Sequence, residues 1–180
     1  MTQSKVVVYI AMSLDGFIAK PDGDLTLLSL VEREGEDYGY HQFLTTVGSV
    51  LMGRKTYEKV MSFGIPFPHQ DVPCYIITSK EKNTSDGPEF YNGDLNALIQ
   101  RLKTLEGDVF VDGGAELVNT LHIMDLIDRW IISVIPTFIG EGVRLFKEKS
   151  MDQVLNLVKV ESFKTGLVQL TYDSKENQYV

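Results

Sequence analysis

The sequence predicts an α/β fold with a mostly parallel central sheet, helices on both faces and an antiparallel C-terminal edge. Short apolar runs alternate with helical patterns through the first two-thirds of the chain, which is typical of a parallel sheet. The last third instead holds strand patterns at 154–163 and 167–172 around a short turn, which indicates an antiparallel hairpin. The chain has 180 residues, 43% of them hydrophobic, and this suits a single domain over 1–180.

The first part of the chain predicts a buried strand, a long loop and a helix. The apolar run at 6–11 is nearly continuous, as in a strand that is covered on both faces. The segment 16–35 carries strong turn signals and few helix signals, and loops of that length in compact domains are usually functional. A helix is predicted from about Glu36 to Thr46, because apolar side chains recur there at helical intervals.

The middle of the chain alternates strands and helices. Strands are predicted for four short apolar stretches: 49–52, 73–79, 90–91 and 109–111. Helices are predicted for three periodic stretches: a short one from Gly53, one over 95–105, and one from Ala115 to His122. Beyond them, 126–135 is long and β-rich, and Leu145-Phe146 is expected to begin an apolar plug or a short helix.

Three of the predicted strands end at the same edge of the sheet, where open parallel sheets bind their ligands. The segments that follow these ends are Gly53-Arg54-Lys55-Thr56, Thr78-Ser79-Lys80 and Asp112-Gly113-Gly114. Two of the ends run directly into helices, whose N-termini favour anions. Bare backbone, hydroxyl groups and cations are what a polyphosphate needs. A structural glycine turn and a solvated basic helix start are the alternative interpretations.

Charge and residue types argue against several classes of protein. The net charge of −8 repels nucleic acid and anionic membranes, and no apolar run approaches the roughly 20 residues that span a bilayer. The three histidines and the single cysteine, Cys74, lack metal-ligand spacing, so no metal site is expected. The first residues lack the pattern of a signal peptide, and a cytoplasmic protein is therefore expected.

Several motifs taken in order resemble one known superfamily. They are Ser13-Leu14-Asp15-Gly16-Phe17-Ile18-Ala19, Met52-Gly53-Arg54-Lys55-Thr56-Tyr57-Glu58, Asp112-Gly113-Gly114, and Pro136 with Gly140-Glu141-Gly142-Val143-Arg144-Leu145-Phe146. Together they resemble the dihydrofolate reductase-like superfamily, and most closely its riboflavin-biosynthesis branch, the RibD C-terminal domain family. The resemblance spans nearly the whole chain. It implies an NADPH-dependent reductase that is often dimeric.

The resemblance also implies which residues contact NADPH. Gly53, Arg54, Lys55 and Thr56 would meet its adenosine and pyrophosphate end, Gly113 and Gly114 its pyrophosphate, Thr78, Ser79 and Lys80 its 2′-phosphate side, and Ala11 its nicotinamide. Residues 15–18 would form a loop that closes over the nicotinamide.

Two carboxylates are candidate catalytic residues. A gapless count back from Gly53 places Asp37 where dihydrofolate reductases carry the acid that binds the pterin ring, although Glu36 is adjacent. Asp15 is either a turn residue or a carboxylate that meets the substrate. Asp112 is expected to fix the glycine turn, and His69, in a proline-rich loop, is expected to be exposed to solvent.

Two functions agree with these observations. The first is NADPH-dependent reduction of a small pyrimidine- or pterin-like heterocycle, similar to 5-amino-6-(5-phosphoribosylamino)uracil reductase. The second is a non-catalytic NADP(H)- or nucleotide-binding protein that keeps the reductase fold. A homodimer through the late strands is also expected, because 126–135 holds more apolar surface than one face of an edge strand requires.

Overall fold

The computed structural model describes residues 4–80, 87–147 and 152–175. Its strands and helices, in chain order, are β1 (Val6–Ser13), β2 (Phe17–Ala19), α1 (Tyr40–Leu44), β3 (Val47–Gly53), α2 (Arg54–Met61), β4 (Cys74–Ile77), β5 (Glu89–Tyr91), α3 (Leu95–Leu102), β6 (Asp108–Gly113), α4 (Ala115–Ile123), β7 (Arg129–Ile135), β8 (Val143–Arg144), β9 (Leu155–Ser162) and β10 (Val168–Ser174). Two 3-10 helical stretches, Pro21–Gly23 and Thr26–Val31, separate β2 from α1.

Eight strands form one sheet in the order β5-β4-β3-β6-β1-β7-β10-β9. The pairs from β5 to β7 are all parallel, as expected when helices or loops carry the chain back between strands. β10 pairs antiparallel with β7 and with β9. The predicted parallel sheet with an antiparallel C-terminal edge is therefore confirmed.

The core lies on both faces of this sheet. Along β1 and β6 the side chains alternate between faces, so Val8 and Val111 pack in a cluster with Leu98 of α3 and Leu121 of α4. Val7 and Phe110 belong to a second cluster, which holds Phe43 of α1 and side chains of α2. Helices thus cover both faces, as the sequence predicts.

The helix predicted from Glu36 is much shorter than expected. Tyr38 and Gly39 both take left-handed backbone conformations, with φ of 58° and 83°, so the regular helix begins only at Tyr40. The preceding segment is also more ordered than a plain loop, because β2 pairs antiparallel with β8. This pairing brings the turn after β1 against the chain that follows β7.

The expectation that 126–135 forms an exposed edge strand is wrong. The strand begins at Arg129 and lies between β1 and β10, so the sheet itself pairs its backbone on both sides. Its apolar residues are explained by burial within the sheet. The outer strand at this end is β9.

Among the helices in the described ranges, we find none with the length and apolar character needed to cross a membrane.

Candidate functional site

A cleft of about 1750 Å³ opens at the carboxyl ends of the parallel strands. One half lies between the starts of α2 and α4 and the end of β4, and the other lies between β1, β7 and the segment 22–40. The volume exceeds the roughly 300–1,000 Å³ of a typical pocket for one small ligand. The cleft can therefore hold a long ligand and a second molecule beside it.

The start of α2 presents bare backbone to this cleft. Gly53 precedes the helix, and no side chain caps its first N–H groups. A Cβ built on Gly53 would lie 3.4 Å from the carbonyl oxygen of Gly113 and 3.5 Å from the nitrogen of Gly114. A side chain at Gly53 would therefore begin in ordinary van der Waals contact with the second strand-to-helix turn.

The start of α4 has the same character. No side chain caps its first N–H groups, and Gly114, which precedes the helix, lines the cleft. A Cβ on Gly114 would lie only 2.9 Å from Oγ1 of Thr56. Gly113 has a φ of 108°, which L-residues rarely adopt, and a Cβ there would point at Ile10. The positive φ of Gly113 therefore sets the turn, whereas the missing side chain of Gly114 leaves the space beside Thr56 open.

The cations and hydroxyl groups predicted for this edge do line the cleft. They are Arg54, Lys55, Thr56, Thr78, Ser79 and Lys80. Nε of Arg54 donates to Glu58 at 2.7 Å, and Nζ of Lys55 donates to Glu116 at 3.3 Å. Exposed ion pairs of this kind contribute little stability, so both cations can exchange a carboxylate for a phosphate. Bare N–H groups, hydroxyls and cations are the groups by which proteins bind anions.

The other half of the cleft has a polar floor that sequence reasoning missed. Nε2 of Gln169 donates to the Tyr9 hydroxyl at 2.9 Å and to Oγ of Ser133 at 3.1 Å. The Tyr9 hydroxyl donates to the carbonyl oxygen of Tyr38 at 2.8 Å, and burial raises the pKa of Tyr9 above its ordinary value. Ala11 lies opposite Ser133 in the register of β1 and β7, and it also lines the cleft.

Asp37 lines the rim of the cleft, but its carboxylate already has several partners. It accepts hydrogen bonds from the backbone nitrogens of Gly39 and His41, each at 3.0 Å, and contacts Nδ1 of His41 at 2.6 Å. The two backbone bonds, His41 first, lower the pKa of Asp37 to about 2. The carboxylate is therefore ionised at neutral pH and holds the first turn of α1.

The Asp15 carboxylate is engaged by neighbouring turns. Its carboxylate accepts hydrogen bonds from the Ser13 hydroxyl and from the backbone nitrogens of Ile139 and Gly140. These bonds, chiefly that from Ser13, lower the pKa of Asp15. Asp15 is not among the described residues that line the cleft. It joins the turn after β1 to the turn after β7, and its catalytic assignment stays a prediction.

The expectation that His69 is exposed is also wrong. Its side chain is only 5% exposed, and Nε2 lies 3.0 Å from Oδ2 of Asp112. The imidazole ring lies edge-on between Phe67 and Phe110, which supply an apolar setting. Asp112 itself lines the cleft. No local signal in the proline-rich loop could have indicated this contact, which joins residues 43 positions apart.

Within the described ranges, no three His, Cys, Asp or Glu side chains are grouped closely enough to hold a metal ion.

The chain is similar in sequence and in fold to several known proteins. A family model described as the RibD C-terminal domain matches residues 4–169. The uncharacterized protein YwjB of Bacillus subtilis is 42% identical over 172 residues, covering 94% of this chain and 98% of that protein. A structure of a putative riboflavin biosynthesis protein from Shewanella sp. PV-4 superposes with a TM-score of 0.87 at 30% identity, covering 96% of this chain and 99% of that one. Enterococcus faecalis dihydrofolate reductase, solved with NADP(H), has a TM-score of 0.66 at 16% identity, covering 97% of this chain and 98% of that one, and thus shares the fold.

Proposed function

The chain belongs to the RibD C-terminal domain family, and from this premise we propose that it is an NADPH-dependent reductase of a small heterocycle. The reaction would be similar to that of 5-amino-6-(5-phosphoribosylamino)uracil reductase. One observation carries the proposal: two uncapped helix starts and the bare Gly114 backbone meet three cations in one large cleft.

The residues of this half of the cleft suit NADPH. A Cβ at Gly114 would occupy space beside Thr56, so the glycine keeps the backbone N–H groups accessible to a pyrophosphate. Arg54, Lys55 and Lys80 supply the positive charge that an additional 2′-phosphate requires. These cations offset the repulsion of an anionic ligand by a chain with a net charge of −8.

NADPH, when bound, supplies the hydride that reduces the substrate. The chain's own task is to bind and orient both molecules. The starts of α2 and α4 would hold the phosphates, and the small side chain of Ala11 would leave room for the nicotinamide. The Tyr9–Gln169–Ser133 network fixes the floor of the substrate half, because Gln169 of β10 donates to both of its hydroxyls.

The enzyme and the non-catalytic alternative differ in turnover. Both would bind NADPH in titration calorimetry, but only the enzyme oxidises it when a substrate is added. Absorbance of NADPH at saturating cofactor, with pyrimidine and pterin compounds tested in turn, therefore separates the two. Binding without oxidation by any of these compounds would favour the non-catalytic protein.

Arg54→Ala is expected to weaken NADPH binding by about tenfold or more, because one charge-assisted hydrogen bond contributes about 1.5–3 kcal/mol. NADH binding should change much less, since it lacks the 2′-phosphate. Titration calorimetry with both cofactors measures the difference. Arg101→Ala is the matched control, because Arg101 stacks on the Tyr75 ring and does not line the cleft. An equal loss for both cofactors would contradict NADPH selectivity through Arg54.

A homodimer remains part of the proposal, now through β9. This outer strand exposes Leu157, Val158 and Val160, each at more than half of its surface. An apolar edge strand promotes association unless it is covered. Light scattering at micromolar concentration should give twice the monomer mass, and Val160→Lys should give a monomer. Leu105→Lys, at an exposed position in the bend after α3, should leave the dimer intact. A monomeric wild-type protein would refute this proposal.

A further inference from the structure

The opening of the substrate half is apolar on two sides. The 3-10 stretch Thr26–Val31 contributes Leu28, which is 41% exposed, and the chain just after α2 contributes Phe63, which is 50% exposed. Both side chains line the cleft, and so do the neighbouring Leu25 and Val60. We call these four residues the apolar entrance. Large apolar side chains that stay exposed at a cleft are typical of surfaces that a ligand covers.

The two sides of this entrance lie close to each other. Asp24, just before the 3-10 stretch, accepts a hydrogen bond from the backbone nitrogen of Thr26 at 2.8 Å. This bond lowers the pKa of Asp24, and the positive charge of Lys59 is among the further causes. Lys59 belongs to the last turn of α2, and its Nζ lies 5.8 Å from the centroid of the Phe63 ring. Lys59 thus links the two sides, and Leu28 and Phe63 bound the same opening of the cleft.

The same half of the cleft is acidic. The segment 22–37, which is described throughout, contributes four carboxylates and one guanidinium to the cleft lining: Asp22, Glu32, Glu36, Asp37 and Arg33. At the end of α2 the two charges are opposite, because Glu58 precedes Lys59. The cations Arg54, Lys55 and Lys80 lie instead in the other half, just after the ends of β3 and β4. The cleft is therefore positive where these strands end and negative along the segment 22–37.

These charges disfavour a phosphorylated group in the substrate half. The Asp37 carboxylate is ionised at neutral pH, because its backbone hydrogen bonds lower its pKa to about 2. A phosphate dianion beside the segment 22–37 would meet several like charges, and salt screens their repulsion only in part. An apolar group meets no such repulsion, and it gains free energy by covering Leu28 and Phe63.

We propose that the substrate of this chain carries, on its heterocycle, an uncharged apolar group that packs on the apolar entrance, in the place of a phosphorylated sugar. This inference rests on the proposed reductase function and names the second group of its substrate. The substrate would then differ in this group from the phosphoribosyl compound that 5-amino-6-(5-phosphoribosylamino)uracil reductase takes.

Titration calorimetry with the NADPH-loaded protein tests the inference with three compounds that share one ring. They are 5-amino-6-(benzylamino)uracil, 5-amino-6-(ribosylamino)uracil and 5-amino-6-(5-phosphoribosylamino)uracil. We expect the benzyl compound to bind about tenfold more tightly than the ribosyl compound, the effect of covering one aromatic ring. The phosphoribosyl compound should bind most weakly, and added salt should narrow its difference from the ribosyl compound because salt screens the repulsion.

Two matched pairs of variants test the apolar entrance itself. Leu28→Ser and Phe63→Ser should each weaken binding of the benzyl compound by about tenfold, and should change binding of the ribosyl compound by less than about threefold. Leu30→Ser and Ile65→Ser are the controls, since each lies two residues from its counterpart, is more exposed than it, and is absent from the described residues that line the cleft. Both controls should leave all three affinities unchanged, and exposed substitutions of this kind leave the fold intact.

A charge reversal tests the repulsion of phosphate separately. Glu32→Lys should strengthen binding of the phosphoribosyl compound by several-fold at low salt, because it replaces a repulsion with an attraction. Glu34→Lys makes the same change in net charge at a position that is not among the described residues of the cleft lining, and its effect should be much smaller. Neither variant should alter the affinity for the benzyl compound by more than about twofold.

Several results would overturn this inference. They are tighter binding of the phosphoribosyl compound than of the benzyl compound, no binding of the benzyl compound, and losses in Leu28→Ser and Phe63→Ser no larger than in their controls. A wild type that fails to bind NADPH would instead refute the proposed function on which the inference rests. A protein that binds NADPH but prefers the phosphoribosyl compound would contradict only the apolar second group.

Discussion

Gly114→Val is expected to abolish NADPH binding while the protein stays folded. The φ of Gly114 is −82°, which lies outside the left-handed region that favours glycine. The added Cβ, however, would lie 2.9 Å from Oγ1 of Thr56, and the two γ-methyl groups would fill the space in front of the α4 N–H groups. Losing two charge-assisted contacts at 1.5–3 kcal/mol each would weaken binding by about 10²-fold or more.

Titration calorimetry with NADPH and a thermal melt of each variant measure this effect. Gly114→Ala serves as a graded control, because its single methyl group meets only the movable Thr56 side chain and should cause a smaller loss. Gly113 is unsuitable for this test, since its φ of 108° would add backbone strain to any substitution. Retained NADPH affinity in Gly114→Val, with an unchanged melting temperature, would show that the double glycine is only a structural turn.

Leu145→Ala is expected to lower the free energy of unfolding by about 2–5 kcal/mol, the range for truncating a buried leucine. Leu145 is completely buried, in the cluster that contains Leu117 and Val118 of α4. Its carbonyl oxygen accepts a hydrogen bond from the buried Asn119 side chain, and its nitrogen donates to Gly16. The residue therefore anchors the segment 143–147 to the core, as the expected apolar plug.

This anchor also shapes the cleft, because Val143, Arg144 and Lys147 line its rim. Denaturant unfolding followed by fluorescence gives the free energy of unfolding for each variant. Val143→Ala is the matched control: Val143 lies two residues away and is 41% exposed, so its truncation should cost less than about 1 kcal/mol. A Leu145→Ala variant as stable as Val143→Ala would mean that the segment contributes little to the core.

The sequence by itself determined the class of the sheet and the edge at which its strand-to-helix turns meet. Alternating apolar runs and helical periodicity depend on near neighbours. The mostly parallel sheet and the antiparallel hairpin of β9 and β10 were therefore predictable. The turn at Gly113 and Gly114 was predictable for the same reason, because adjacent glycines between a strand and a helix are a local signal. Arg54 and Lys80 follow from this, since the carboxyl ends of parallel strands meet at one edge.

Local patterns were misleading where a distant partner decides the conformation. The helix from Glu36 has helical periodicity, but Tyr38 and Gly39 adopt left-handed conformations as the chain turns into α1. The segment 126–135 has the apolar content of a covered strand, but composition does not tell which strand covers it. In the structure β10 pairs with β7 and covers this edge. The outer strand at this end of the sheet is β9.

Only the tertiary structure decided which carboxylates line the cleft and which partners they have. Asp15, Asp37 and Asp112 are similar in sequence terms, since each lies near a turn. Asp15 is engaged by Gly140, 125 residues away, Asp37 by its own helix, and Asp112 by His69, 43 residues away. A hydrogen bond between distant segments leaves no periodic trace in the sequence, because it depends on how the sheet brings two turns together. The choice among equal carboxylates is therefore made by long-range packing.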